Sequence, residues 1–346
     1  MKILKITLLC CLISNFTFAQ TVRTVDNRSQ SGAQFTVLQD AIDAASAGDI
    51  IQIHPSETNY GNITIDKTLH LVGLGHDPIT NDQGLVANIN TLRFTGTATN
   101  SEIRGLDIGS VSQTGTIVDL DNIHFIHNKI GSVNAGATNG LTDGWIIEGN
   151  YITNVGFALN TLANGWVIKN NFMLGGVANL DVTCTVINNI FFSVTNAPID
   201  IFFSNCTSTP VSNNIFVATQ ENMVEFGISN SPTLDLRNNL TYNYFGNTII
   251  DLPGTNNLNN TNPMFVSVPG GSEDDFYNND YHLAAGSPGI NYGTDGTNIG
   301  IFGNNFLFDP QGRPDLMPYP ISITINNNVI APGQSLNVDF TAAQKQ

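Results

Sequence analysis

His124, Glu148 and Lys169 stand in successive copies of one short phrase, NIHFIHNKI (122–130), GWIIEGNYI (144–152) and GWVIKNNFM (165–173). An imidazole, a carboxylate and an amine on one face supply an acid, a base and a cation. That set suits β-elimination of a uronide, which needs a group to neutralise the sugar carboxylate, a base for the C5 proton and an acid for the leaving oxygen. Lys169 would be the base or neutraliser and His124 the acid. The same residues also read as a surface ion pair between Glu148 and Lys169, worth at most about 1 kcal/mol.

Positioning them is the work of the repeat. The phrase returns as TCTVINNIF (183–191), STPVSNNIF (208–216) and TLDLRNNLT (233–241). The anchor residues Asn128, Asn150, Asn171, Asn189, Asn214 and Asn239 are separated by 22, 21, 18, 25 and 25 residues, an irregular period that means a solenoid. Five and three residues before the anchors come Ile123 and Phe125, Trp145 and Ile147, Trp166 and Ile168, Cys184 and Val186, Thr209 and Val211, Leu234 and Leu236. Two after them come Ile130, Ile152, Met173, Phe191, Phe216 and Thr241. Period-two apolar positions on both sides of a bend describe two short strands turning a corner, with these residues inward. The asparagines then stack inside the turn, rungs about 4.8 Å apart. Leucine-rich repeats need a Leu framework that this chain lacks. In this register His124 lies four before its anchor, and Glu148 and Lys169 two before theirs, all outward on adjacent rungs.

Composition agrees with a β-rich chain. Charged residues are 12%, about half the usual share, while hydrophobic residues are 41%, too many for disorder. Asn, Gly and Thr are poor helix formers. Lys2 and Lys5 precede an apolar run, and Thr17-Phe18-Ala19 looks like a cleavage site, so residues 1–19 read as a secretory signal peptide. No other stretch is long and apolar enough to cross a bilayer. Removing the signal takes the formal charge from −16 to −18, which disfavours nucleic acid as a partner and repels polyanionic sugars unless a cation or basic patch intervenes.

Other residues offer further chemistry. The first outward position after each anchor reads Lys129, Tyr151, Phe172, Ile190, Ile215 and Leu240. This ladder is either covered by a loop or exposed as a strip on which sugars stack, with Tyr151 and Phe172 as the substrate-binding candidates. Asp121 and Asp143 stand seven residues before their anchors. They are candidate calcium ligands, although Asp143-Gly144 is also an ordinary turn pair. Cys184 falls in an inward column; Cys206 is out of register with it, and a disulfide between them is an open alternative. The doublet Asp274-Asp275 has no matching Asp motif, and GxSxG is absent.

The stretch FTVLQDAIDAASAGDIIQIHPSETNYGNITIDKTLHLVGLG (35–75) predicts a helix with Thr36 as N-cap, Gln39 in a capping box and Gly48 at its end. Val37, Ala41, Ile42 and Ala45 form its apolar stripe. This stretch, the repeat and YHLAAGSPGINYGTDGTNIGIFGN (281–304) together resemble the right-handed parallel β-helices of the pectate-lyase-like superfamily, especially secreted bacterial ones. The resemblance covers about residues 33 to 305 and implies an all-β, single-stranded right-handed parallel β-helix with a short N-terminal capping helix. The expected organisation is signal peptide 1–19, lead-in 20–33, β-helix 34–305 and an extension 306–346 that is either a terminal strand pair or the start of a further segment. The superfamily spans lyases, hydrolases, esterases, epimerases and non-catalytic surface proteins, so the fold does not select an activity. Pectate lyases hold calcium with carboxylates on neighbouring coils, which is what the resemblance implies for Asp121 and Asp143. With no motif as specific as a lyase or hydrolase site, the expectation is a monomeric, secreted or cell-surface protein that binds or displays against extracellular polysaccharide. A polysaccharide lyase or a structural module of a larger surface protein are the alternatives.

Overall fold

The computed structural model describes residues 20–78, 84–117, 120–134, 142–153, 157–158, 163–269, 276–314, 319–326, 332–333 and 335–343. The expected signal peptide and the Asp274-Asp275 doublet lie outside these residues.

The described chain is all-β with long parallel sheets. One sheet has ten strands, each parallel to the next, from Val22–Val25 and Ile50–Ile53 through His70–Val72, Glu102–Arg104, His124–Ile126, Ile146–Glu148, Val167–Lys169, Thr185–Ile187 and Pro210–Ser212 to Asp235–Arg237. A second sheet begins with the longer strands Asn62–Lys67, Asn88–Thr97, Asp107–Ile117 and Lys129–Asn134. Beyond Lys129–Asn134 it forks. One branch follows Tyr151–Ile152, Phe172–Met173, Ile190–Ser193, Ile215–Ala218 and Leu240–Asn243, and the other ends in Ile199–Ser204 and Glu225–Ser229.

The registers follow the phrase. Phe125, Ile147, Ile168, Val186, Val211 and Leu236 are successive partners, and all are buried. So are Ile130, Ile152, Met173, Phe191, Phe216 and Thr241. In the third inward column Leu234 alone is only half-buried. Trp145 and Trp166 stack there with centroids 4.6 Å apart, and each indole N–H donates to a carbonyl of the rung before, Leu120 O and Thr142 O. A buried indole tolerates the core only when its N–H is so satisfied.

The corner explains the Asn-Asn doublets. The residue before each anchor (His127, Gly149, Asn170, Asn188, Asn213 and Asn238) has positive φ, a conformation that Gly and Asn adopt at least cost. The second residue is the ladder. Asn128 donates its backbone N–H and Nδ2 to Asn150 Oδ1 at 2.9 and 3.1 Å, and its Nδ2 also donates to Ile103 O. Asn150, Asn171, Asn189, Asn214 and Asn239 repeat this toward the next anchor. The ladder ends on a seventh asparagine, Asn257, and begins at Leu106, whose N–H donates to Asn128 Oδ1.

The helix Leu38–Ala44 packs on Val22–Val25, Ile50–Ile53 and Asn62–Lys67, but its ends differ from expectation. Val37 occupies the N-cap position without a side-chain cap bond, and Ala45, not Gly48, is the C-cap. Gln39 instead exchanges hydrogen bonds with the Thr64 backbone, so it staples the helix to the sheet rather than closing a capping box. Leu38 joins Ala41 and Ile42 in the core, and Val37 is exposed.

Residues 281–304, expected as closing coils, add no strand to either parallel sheet. Asp280–Leu283 pairs antiparallel with Phe265–Ser267, and the chain then runs back along the corner. Asn238 Nδ2 donates to Tyr292 O, Asn213 Nδ2 to Thr294 Oγ1, and Asn170 Nδ2 to Ile301 O and Gly303 O. Phe306 stacks on His127 at 5.6 Å, and His76 N donates to Gln311 O. A second hydrophobic core forms beneath this arm, distinct from the one inside the stack. The extension contributes an antiparallel pair, Tyr319–Ile325 with Val338–Ala343.

Candidate functional site

The outward face of the ten-stranded sheet gathers the ionisable residues. His124 and Ile146 are register partners, as are Glu148 and Lys169, so the three candidates lie on adjacent strands. His124 Nε2 lies 2.8 Å from Glu148 Oε1, and Lys169 Nζ lies 2.5 Å from Glu148 Oε2. The trio predicted from the sequence is therefore a contiguous chain of contacts.

It continues one rung further. His124 Nδ1 is 3.5 Å from Glu102 Oε2, and Arg104 Nη2 is 2.6 Å from Glu102 Oε1. His70 Nδ1 closes the row at 3.8 Å from the same oxygen. One imidazole thus bridges two carboxylates, each of which carries its own cation. The row is half-buried, not fully solvated: the Glu148 and Arg104 side chains are 11% and 12% exposed, against 34% for Lys169.

Protonation follows from this crowding. Burial alone would raise the Glu148 carboxyl, but hydrogen bonds from His124 and Lys169 override it and bring it down to about 2. Burial acts the same way on Glu102 and is overridden by His124, His70 and Arg104, which hold it well below the carboxylate range. For His124 burial opposes the charged form, yet hydrogen bonds to Glu102 and Glu148 outweigh it and raise the imidazole above its usual value. With His124 protonated, Arg104, His124 and Lys169 face two carboxylates, leaving the cluster one positive charge to the good in a chain of formal charge −16.

The chain matches no protein-family model and no curated protein.

The other candidates fall elsewhere. Tyr151 and Phe172 are buried under the arm, with Tyr151 stacked on Phe276 at 4.0 Å and Phe172 against Phe276 and Tyr281 at 4.9 Å. A sugar has no access to either face, so the ladder is covered rather than a stacking strip. The reason is apolar: Tyr151, Phe172, Ile190, Ile215 and Leu240 would otherwise be a continuous exposed stripe.

Asp121 and Asp143 lie just before their strands, and Asp143 forms a parallel bridge with Asn164. Asp121 Oδ1 accepts the Asp143 N–H at 2.8 Å, and Asp143 Oδ2 accepts from Asn164 Nδ2 at 3.1 Å. Among the described residues no group of three or more His, Cys, Asp or Glu side chains converges on a metal position. Cys184 and Cys206 are both free thiols, buried in separate columns, and burial raises both. The sulfur of Cys184 approaches Ala163 O and that of Cys206 approaches Ser204 O, so no disulfide joins them.

Sequence reasoning missed Glu102, Arg104 and His70. The rung that carries Glu102 and Arg104 reads EIRGLDI (102–108), with Leu106 where the six copies of the phrase have the anchor asparagine, and the His70 rung has Leu74 there. The available signal was Gly105, which takes the same positive-φ corner position as Gly149.

Proposed function

We propose that this chain is an exported right-handed parallel β-helix, of the pectate-lyase-like kind it resembles, that binds extracellular polysaccharide along the face carrying Glu102, Arg104, His124, Glu148 and Lys169. The helix Leu38–Ala44 closes its N-terminal end, the protein acts as a monomer, and it works in the secreted or cell-surface space once residues 1–19 are removed. Parallel crossovers are right-handed in almost all folds, which supports the hand. A regular sheet gives an extended polymer a straight row, spaced at about 4.8 Å per rung, over several sugar units.

One observation favours binding over catalysis: the Glu148 carboxylate is held between His124 at 2.8 Å and Lys169 at 2.5 Å. Glycoside hydrolysis needs a carboxyl that keeps its proton, and Glu102 and Glu148 are pushed the other way. Elimination needs a base with a free lone pair, whereas Lys169 is engaged with a carboxylate and the hydrogen bonds of His124 to Glu102 and Glu148 favour its charged form.

The test is incubation with pectate, alginate and chondroitin, with and without calcium because Asp121 and Asp143 lie on adjacent turns. Retention on an immobilised polymer with no rise in unsaturated-uronide absorbance is the expected result. A rise on any polymer makes the protein a lyase, with His124 as the proton donor, and overturns the binding reading.

A further inference from the structure

His124 is the only side chain of the row that touches both carboxylates: Nδ1 faces Glu102 at 3.5 Å and Nε2 faces Glu148 at 2.8 Å. The charged and titratable groups around it are His70, Glu102 and Arg104 on the strands before it, and Glu148 and Lys169 on the strands after it. Arg104 and Lys169 each hold a single carboxylate from the far side.

An imidazolium has two N–H donors and satisfies both carboxylates at once. A neutral imidazole has one donor, and its other nitrogen presents a lone pair to a carboxylate oxygen. The bridge therefore exists only in the protonated state. Losing the proton also removes the surplus positive charge, since Arg104 and Lys169 then only balance Glu102 and Glu148.

We propose that His124 is a proton switch on the polysaccharide face: protonated, it joins Glu102 to Glu148 and lets the row accept an anionic sugar polymer; deprotonated, it breaks the bridge and releases that polymer. The proposal rests on the polysaccharide reading above and adds to it the sign of the ligand and the condition for its release.

The contacts with Glu102 and Glu148 raise His124 above its ordinary value, so binding is strong while the imidazole keeps its proton and is lost as pH rises through that raised value. The loss of one charged hydrogen-bond bridge corresponds to a fall in affinity of about tenfold.

The experiment uses the whole protein with alginate oligomers as the anionic probe and cellohexaose as the neutral one. Affinity is measured from pH 6 to pH 10 for the wild type, His124→Gln and Lys169→Met. In parallel, the ring resonances of His124 are titrated without ligand. The expected result is a roughly tenfold fall in alginate affinity whose midpoint matches the His124 ring titration, with cellohexaose unaffected. His124→Gln should be weak and flat with pH, and Lys169→Met weaker but still pH-dependent. Should a variant fail to fold, the wild-type midpoint and ring titration decide alone. Alginate binding that does not change with pH, or a His124 midpoint at or below the ordinary value, overturns the switch and leaves the polysaccharide reading standing. No binding of either probe at any pH overturns both.

Discussion

Asn150 Oδ1 accepts two hydrogen bonds from one residue, the backbone N–H of Asn128 at 2.9 Å and its Nδ2 at 3.1 Å. A single amide oxygen on one rung thereby satisfies both the corner N–H and the side chain of the rung before. Asn150 passes the same demand on to Asn171. No apolar residue can stand in mid-ladder without leaving buried donors unpaired.

Asn150→Ala should therefore destabilise the protein by about 2–4 kcal/mol, because it takes the shared acceptor from the backbone N–H and Nδ2 of Asn128 and the side-chain donor from the Phe125 carbonyl inside the core. Asn257→Ala, at the half-exposed end of the ladder, should cost about 1 kcal/mol or less. Urea unfolding of the two variants measures the difference. Equal losses would show that the ladder does not act as a buried chain.

The arm is the second target. Phe276→Ala removes the ring that covers Tyr151 and Phe172 and should cost about 3–4 kcal/mol, with a gain in binding of a hydrophobic dye. Gly312→Ala tests the far end. Its φ is +67°, and an added Cβ would sit 2.2 Å from the His76 ring, so the variant should cleave faster within residues 302–314 under limited proteolysis. Protection equal to wild type would mean that the end of the arm is not held at His76.

Acid should loosen the same contact. Burial, aided by the charges of Lys129 and His127, pushes His76 down to about 3 from an ordinary 6.5. Its folded value is depressed, so the unfolded chain takes up the proton first. Stability on this account falls as pH drops from about 6.5 toward 3. Glu148, whose folded value is also lowered, adds stability above the ordinary carboxylate range that is lost as pH falls toward 2. His124 has the opposite sign: raised in the fold, it stabilises fully below 6.5 and stops doing so as pH climbs through its folded value. Thermal midpoints of His76→Phe should be flatter than wild type between pH 6.5 and 4. An unchanged slope would remove His76 from the acid response.

Cys184 and Cys206 should resist a thiol-exchange reagent in the folded protein and react together on unfolding, since both are buried and raised. Midpoints with and without reductant should coincide. Prompt labelling of either thiol in the native state would contradict this burial.

Much of this was legible in the residues. Trp145, Ile147 and Ile152 announced the inward columns by period alone, and the anchor asparagines set the register that brings His124, Glu148 and Lys169 together. Glu102 and Arg104 were hidden because Leu106 replaces the asparagine by which the six copies of the phrase are recognised. The helix start at Thr36 was misplaced because Gln39 had a better partner in Thr64, which only the fold brings near. The covering of Tyr151 and Phe172 depends on contacts such as His76 with Tyr277, 201 residues apart, where no local pattern reaches.

The ladder tolerates gaps of 22, 21, 18, 25, 25 and 18 residues between successive asparagines, yet each delivers its oxygen to the same place. What is conserved from rung to rung is an address, two residues at the corner, while the return path is spare length. A gene encoding such a chain can gain or lose several codons in a return path without shifting a strand by one place. The loops are thus free to diversify independently, rung by rung, above a frame that stays in register.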